Sequence, residues 1–416
     1  QWLSPASVIF LAWMCGMGLE VYAVREHEFR TKDQPEQRLT VGVIQPNVSQ
    51  LDKWALGDPT ITPERWRQIE TGTTIRTLNM VRALGEKPAE DGPTTASRPE
   101  LYVLPETAFL SPWFVYDTGL HDMITSVARE VNADIFFGAD AREPWSVYAG
   151  LVARGFRTLT PDSEPTTFTL PRLRTDACGE PILEEPEKMA VFNSAWLVTP
   201  ERGLVDRVYH KVQLVPFGET APILGHIPGF QDYVMTVGSF QAGMEQTMFE
   251  TKGVRYGTMI CFESAFGHLS RGLARAGARM LTVLTNDAWY DPAYLIERGG
   301  VLGTLFRLPF LRTLAASGPD QHFHMSVFRA IETRLPVVRA ANTGISAVID
   351  PVGRIVESRP FGQQAAIVAE VPVPVRKPTA YVRRGDGFAH LCLAVLALTV
   401  GLEYWFRRRE RRKWSG

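Results

Sequence analysis

At 416 residues and 45% hydrophobic content, the chain is long enough to bury a full domain core, and no large-scale disorder is expected. A formal net charge of −1 implies no nucleic-acid partner. The four cysteines, Cys15, Cys178, Cys261 and Cys392, lack metal-ligand spacing, so neither a disulfide framework nor a zinc site is implied.

The chain opens in an apolar segment, Leu3 to Val24, broken only by Glu20. It has no basic leader and no small-residue cleavage site, so residues 1–30 are expected to form a transmembrane helix, the remnant of a longer membrane region. Strands are then expected at Thr40 to Gln45, Tyr102 to Pro105, Ile135 to Gly138, Ala195 to Val198, Val205 to Tyr209, Tyr256 to Ile260, Met280 to Leu284, Val337 to Ala341, Ser346 to Ile349 and Ala366 to Glu370. Helical periodicity falls near Pro63 to Leu84, Gly119 to Asn132, Phe266 to Ala276 and His322 to Thr333. This alternation predicts an α/β domain, residues 38–375, with helices covering its sheets.

Three stretches read as insertions. Gly85 to Pro99 and Asp162 to Lys188 have the Pro, Thr and Glu content of surface loops. Asp291 to Asp320 instead mixes Leu305, Phe306, Leu308 and Phe310 with Arg307 and Arg312, which suits either a helix packed on the core or an arm touching a membrane. Near the end, residues 388–406 form an apolar run about long enough to cross a hydrocarbon layer of roughly 30 Å. The basic tail, residues 407–416, is expected in the cytoplasm, which puts the α/β domain across the membrane from it.

Three charged or nucleophilic groups sit at the ends of apolar runs: Glu106 in LPET, Lys211 in YHKVQLVPFGE, and Cys261 in ICFES. Taken singly, each suits a bland role, since a free thiol usually packs as a small hydrophobe and strand-end charges are usually solvated. Taken together they supply what a catalytic thiol needs. An unshifted thiol, pKa about 8.5, is mostly protonated at neutral pH, so it requires a base to take its proton and a cation to hold the charge. His322 and His324 read as packing or solvated groups rather than metal ligands.

These residues, in this order, resemble the Glu-Lys-Cys triad of the nitrilase superfamily of carbon-nitrogen hydrolases. HKVQLVPFGE, TNDAWY at Thr285 to Tyr290, and RAANTGISAVIDPVGRI at Arg339 to Ile355 resemble more narrowly its membrane-bound branch, the apolipoprotein N-acyltransferase family. The resemblance implies a nitrilase-like four-layer αββα sandwich flanked by transmembrane helices, with Glu106, Lys211 and Cys261 catalytic and Glu219 and Glu263 supporting. It places Trp54, Asn286 and Trp289 at the substrate pocket. The implied reaction moves an acyl chain from a phospholipid, through a Cys261 thioester, to the N-terminal amine of a diacylglyceryl apolipoprotein. It needs no metal or other cofactor, and a monomer in the bacterial inner membrane, catalytic domain periplasmic, would carry it out. The alternative implied by the wider superfamily is a membrane-tethered amidase. Phe262 stands where the family often has Tyr, which leaves any hydroxyl role at that position without a bearer.

Overall fold

The computed structural model describes residues 35–54, 61–86, 98–111, 114–144, 174–175, 181–182, 189–216, 218–219, 240–291, 296, 304, 307–374 and 378–413. The expected helix at 1–30 and nearly all of the Asp162 to Lys188 insertion lie outside them.

The first half builds β1 (Pro35–Gln45), α1 (Gln50–Trp54), α2 (Pro63–Glu86), β2 (Leu101–Val103), α3 (Thr118–Val131), β3 (Asp134–Pro144), β4 (Met189–Thr199) and β5 (Gly203–His210). The second builds β6 (Met248–Thr251), β7 (Val254–Ile260), α4 (Gly267–Arg275), β8 (Met280–Thr285), α5 (Pro309–Ala316), α6 (Gly318–Thr333), β9 (Val337–Ala341), β10 (Ser346–Ile349), β11 (Ile355–Arg359), β12 (Ala365–Pro374), α7 (Ala380–Arg384) and α8 (Gly387–Lys413). Every strand expected from the sequence is present. The edge strands β6 and β11 were not foreseen, and α6 starts four residues before His322 because Ser317 and Pro319 open it.

The strands form two six-stranded sheets of matching design, β12-β1-β2-β3-β4-β5 and β6-β7-β8-β9-β10-β11. In each, a parallel trio is flanked by antiparallel partners: β1, β2 and β3 in one, β7, β8 and β9 in the other. Parallel strands are buried on both faces, and the two-residue period assigns each side chain to a layer. Leu39, Val41 and Val43 of β1, Leu101 and Val103 of β2, and Phe136 of β3 meet Tyr256, Ile260, Met280, Leu284 and Val338 between the sheets. The alternate residues Tyr102, Ile135 and Phe137 face Leu78 and Val81 of α2 and Ile124 and Val127 of α3. Met259, Leu281, Val283 and Val337 face Leu273 of α4, Phe323 of α6 and Val382 of α7. The order of layers is therefore helix, sheet, sheet, helix. Each of these aliphatic and aromatic side chains contributes about 1.5–3 kcal/mol on burial.

One helix lies apart. Gly387–Phe406 of α8 has mean hydropathy 1.6 and none of it is buried, with Leu391, Leu398 and Trp405 open on its surface. It is the one helix among the described residues that is long and apolar enough to cross a membrane; a helix on the other flank is not among them.

Candidate active site

The parallel trios end at one side of the sheet sandwich, and the charged groups gather there. After β2 the chain turns through Glu106 and a left-handed Thr107, φ 48°. Gly138 makes that turn possible, because a Cβ on it would lie 2.7 Å from the Glu106 Cα and 2.9 Å from the Pro105 oxygen. Lys53 of α1 braces the same turn, donating to the Glu106 carbonyl at 3.1 Å and the Thr107 carbonyl at 2.9 Å. Desolvation lowers its ammonium pKa to about 8.

The Glu106 carboxylate accepts from Asn193 Nδ2 at 2.6 Å and from the Asn286 main-chain N–H at 2.8 Å. Lys211 Nζ lies 3.8 Å from its Oε1 and donates to Glu219 Oε1 at 2.7 Å. Desolvation raises the Glu106 pKa, with Lys211 opposing and Glu219 adding to the rise. For Lys211, which is fully buried, desolvation acts to lower the pKa, but Glu106, Cys261 and Glu219 outweigh it and hold the ammonium charged. Glu219 in turn accepts from Val215 N–H at 2.9 Å and from Asn193 Nδ2 at 3.2 Å. Asn193 thus bridges the two acids.

Cys261 follows β7 directly, in left-handed backbone, φ 54°, at the head of a 3-10 turn, Cys261–Ala265. A non-glycine residue held there stores on the order of 1–3 kcal/mol of strain, a familiar feature of reactive sites. Desolvation raises the thiol pKa, the Glu106 charge adds to the rise, and Lys211 opposes it. The resting group is therefore a thiol that ionises only as its proton leaves.

Glu263 feels the Lys211 charge, and it also supports the site through the backbone. Fully buried, it accepts from the N–H groups of Ile260 (2.7 Å), Val212 (2.8 Å) and Gln213 (2.9 Å) and from the Tyr209 hydroxyl (2.8 Å). It ties the segment after Lys211 to the one carrying Cys261. Asn286 is also more than a pocket wall: besides the N–H given to Glu106, its side chain donates to Gln50 at 2.6 Å and accepts from Asn342 at 2.9 Å. Trp289 is 37% exposed at the rim of the second 3-10 turn, Asp287–Tyr290. Trp54 ends α1, and its side chain lies outside the described residues.

A second buried network flanks Cys261 that the sequence reading passed over. Asp287 accepts from Thr285 Oγ1 at 2.9 Å, His322 Nδ1 at 2.7 Å and Arg339 Nη2 at 2.8 Å. His322 Nε2 lies 3.0 Å from the Cys261 carbonyl oxygen. Burial would raise the Asp287 pKa, but Arg339 and His322 hold it well below the usual carboxylate range. Ligand-type atoms of Cys261, Asp287 and His322 lie within 4.8 Å of one another. Both ring nitrogens of His322 and both oxygens of Asp287 are already engaged, so the group is arranged as a hydrogen-bond network. The clue was present in the sequence, since Asp287 and Arg339 sit inside two of the long motifs, but no local pattern links them to His322.

Residues 177–381 match the carbon-nitrogen hydrolase family. This part of the chain is similar to carbon-nitrogen hydrolase domains. Among curated relatives, an apolipoprotein N-acyltransferase of Geobacter metallireducens is 30% identical over 89% of this chain and 54% of its own length. One of Chlorobaculum tepidum is 27% identical over 90% of this chain and 58% of its own. The chain thus spans little more than half the length of these relatives. An amidase from Nesterenkonia sp., a solved structure, is 14% identical, with a TM-score of 0.45 over 85% of this chain and 96% of that one. The two sheets carry Glu106, Lys211, Glu219 and Cys261 into one buried cluster, whereas Glu263 and Asn286 act on it through backbone contacts.

Proposed function

We propose that the chain carries the catalytic part of an apolipoprotein N-acyltransferase, with Cys261 as nucleophile, Glu106 as general base and acid, and Lys211 as the cation beside the reacting oxygen. In the first half-reaction Glu106 takes the thiol proton as sulfur attacks the ester carbonyl of a phospholipid. The carbon–sulfur bond forms, the ester carbon–oxygen bond breaks, and Glu106 returns the proton to the departing alcohol, releasing a lysophospholipid. In the second, the N-terminal amine of a diacylglyceryl apolipoprotein attacks the thioester. The carbon–nitrogen bond forms, the carbon–sulfur bond breaks, and the proton lost by the amine passes through Glu106 to the thiolate. Lys211, kept charged by its acids, stabilises the tetrahedral oxyanion in both.

The observation that carries acyl transfer over amide hydrolysis is the exposed apolar span of α8, appended to the same chain as the buried cluster. A lipid donor is present at such a surface, and a bound acyl chain excludes water from the thioester. The basic residues after Phe406 favour a cytoplasmic C-terminus, and so a catalytic domain, residues 38–375, on the periplasmic face of the bacterial inner membrane. One chain supplies every group used, which suits a monomer. Purified protein mixed with phospholipid alone is expected to accumulate an acyl group on Cys261, read by intact mass, with lysophospholipid released. A diacylglyceryl-cysteine peptide then discharges it and becomes N-acylated. Absence of the acyl-enzyme, together with faster hydrolysis of small amides, would assign the site to a membrane-tethered amidase instead.

A further inference from the structure

The left-handed backbone at Cys261 aims two groups at once: the thiol and the peptide that follows it. That peptide is trans, so its carbonyl oxygen and the Phe262 N–H point in opposite directions from one rigid plane. Fixing the oxygen therefore fixes the N–H. The oxygen is held from behind by two side chains, Ser264 Oγ at 3.0 Å and His322 Nε2 at 3.0 Å. The N–H belongs to the first turn of the 3-10 helix, where no carbonyl of that helix can accept from it.

His322 is itself fixed from its other side. Nδ1 lies 2.7 Å from Asp287 Oδ1 and 3.2 Å from Arg339 Nη2, Nε2 also lies 3.1 Å from Ser264 Oγ, and the Tyr290 ring stands beside it at 6.2 Å between centroids. Nε2 must carry a hydrogen, because a carbonyl oxygen can only accept. Arg339 is locked in its turn by Ser326 at 3.2 Å and the Ile345 carbonyl at 3.1 Å, and Gly344 leaves the room Asp287 needs, since a Cβ there would lie 2.0 Å from Oδ2. A chain of buried groups thus runs from Arg339 through Asp287 and His322 to the Cys261 carbonyl.

We infer that His322, oriented by Asp287 and Arg339, is a positioning residue that holds the Cys261–Phe262 peptide so that the Phe262 N–H serves as the second oxyanion donor opposite Lys211. This rests on Cys261 being the nucleophile. His322 touches no reacting atom; it acts through the peptide plane. The consequence is selective. Reactions of Cys261 that pass through a tetrahedral oxyanion depend on His322, whereas reactions that need only the thiolate do not.

The test compares two labels on the full chain in detergent: acylation by p-nitrophenyl butyrate, which forms an oxyanion, and alkylation by iodoacetamide, which does not. For His322→Ala, acylation is expected to slow by about 100-fold, the cost of losing one oxyanion donor, while alkylation changes by less than about 3-fold. His322→Gln, which keeps an N–H donor, should recover acylation to within about 10-fold of the parent, and Ser264→Ala, which leaves the Asp287-anchored His322 Nε2 on that oxygen, should lose about 10-fold in acylation alone. An equal fall in both labels, or no fall in acylation, overturns the inference. If His322→Ala does not fold, Ser264→Ala and His322→Gln decide it by the same ratio. A parent protein that takes neither label at Cys261 removes the nucleophile itself, an outcome distinct from a parent that acylates normally and a variant that matches it.

Discussion

Glu106 and Asp287 occupy matching places, each just past the middle strand of its sheet's parallel trio, yet their surroundings drive them in opposite directions. Glu106 shares the Lys211 ammonium with Glu219, Lys53 adds only a smaller opposing effect, and desolvation prevails, so its pKa is raised toward the range useful for moving a proton. Asp287 has a guanidinium at 2.8 Å and an imidazole at 2.7 Å, and stays ionised. In the mechanism proposed above, the two carboxylates at equivalent strand ends divide the labour: one exchanges protons, and the other is a fixed anion that steadies the thiol's backbone. The determining variable is the ratio of cations to acids within hydrogen-bond reach, since both groups are almost fully buried.

Substitution should separate the two by kind of damage. Glu106→Gln, Lys211→Met and Cys261→Ala are each expected to lower acyl transfer by about 10⁴-fold or more in single-turnover assays, because the three act as one unit. Glu106→Gln should nevertheless leave thermal stability unchanged or higher, since it removes a charge that burial penalises. Asp287→Asn is expected to do the reverse, costing about 3–5 kcal/mol by stranding the buried Arg339, as read from denaturant unfolding. Unchanged stability in Asp287→Asn would erase the contrast.

Glu219→Gln sharpens it further. It weakens the hold on Lys211 while relieving Glu106 of a neighbouring charge, so activity should fall about 10- to 100-fold, the worth of one charge-assisted hydrogen bond, and the acidic limb of the pH–rate profile should move down.

The smallest effect lies behind Glu106. Desolvation first, and then Glu106, raises Asp140 to about 7. A carboxyl whose folded pKa is raised binds its proton more tightly in the folded state. Its contribution to stability is therefore fully present below the ordinary aspartate range, about 4, and is lost as pH climbs to about 7. Asp140→Asn should flatten the melting temperature across that window, and a profile that keeps its slope would place the titration elsewhere.

The two networks also differ in how far the sequence exposed them. Glu106, Lys211 and Cys261 were legible because each closes an apolar run with a group that an isolated strand end does not need. Glu219 came only from the family resemblance carried by PFGE. Asn193 and Lys53 were not legible: an asparagine inside a strand and a lysine inside a short helix have no local mark, and both matter only because β4 and α1 pack beside the turn at Glu106. His322 read as a packing group, since its partners lie 35 and 61 positions away along the chain.

What the sequence by itself determined is the alternation of strands and helices, the layer each strand residue faces, and the apolar span of α8, because these depend on local periodicity and composition. The tertiary structure alone decided which acid is paired with which cation, that Glu263 clamps backbone as well as feeling the Lys211 charge, and that Asp287 reaches Cys261 through His322. Those outcomes depend on separations of a few ångströms between residues tens to hundreds of positions apart, and on the loss of water around them, neither of which any window of sequence contains.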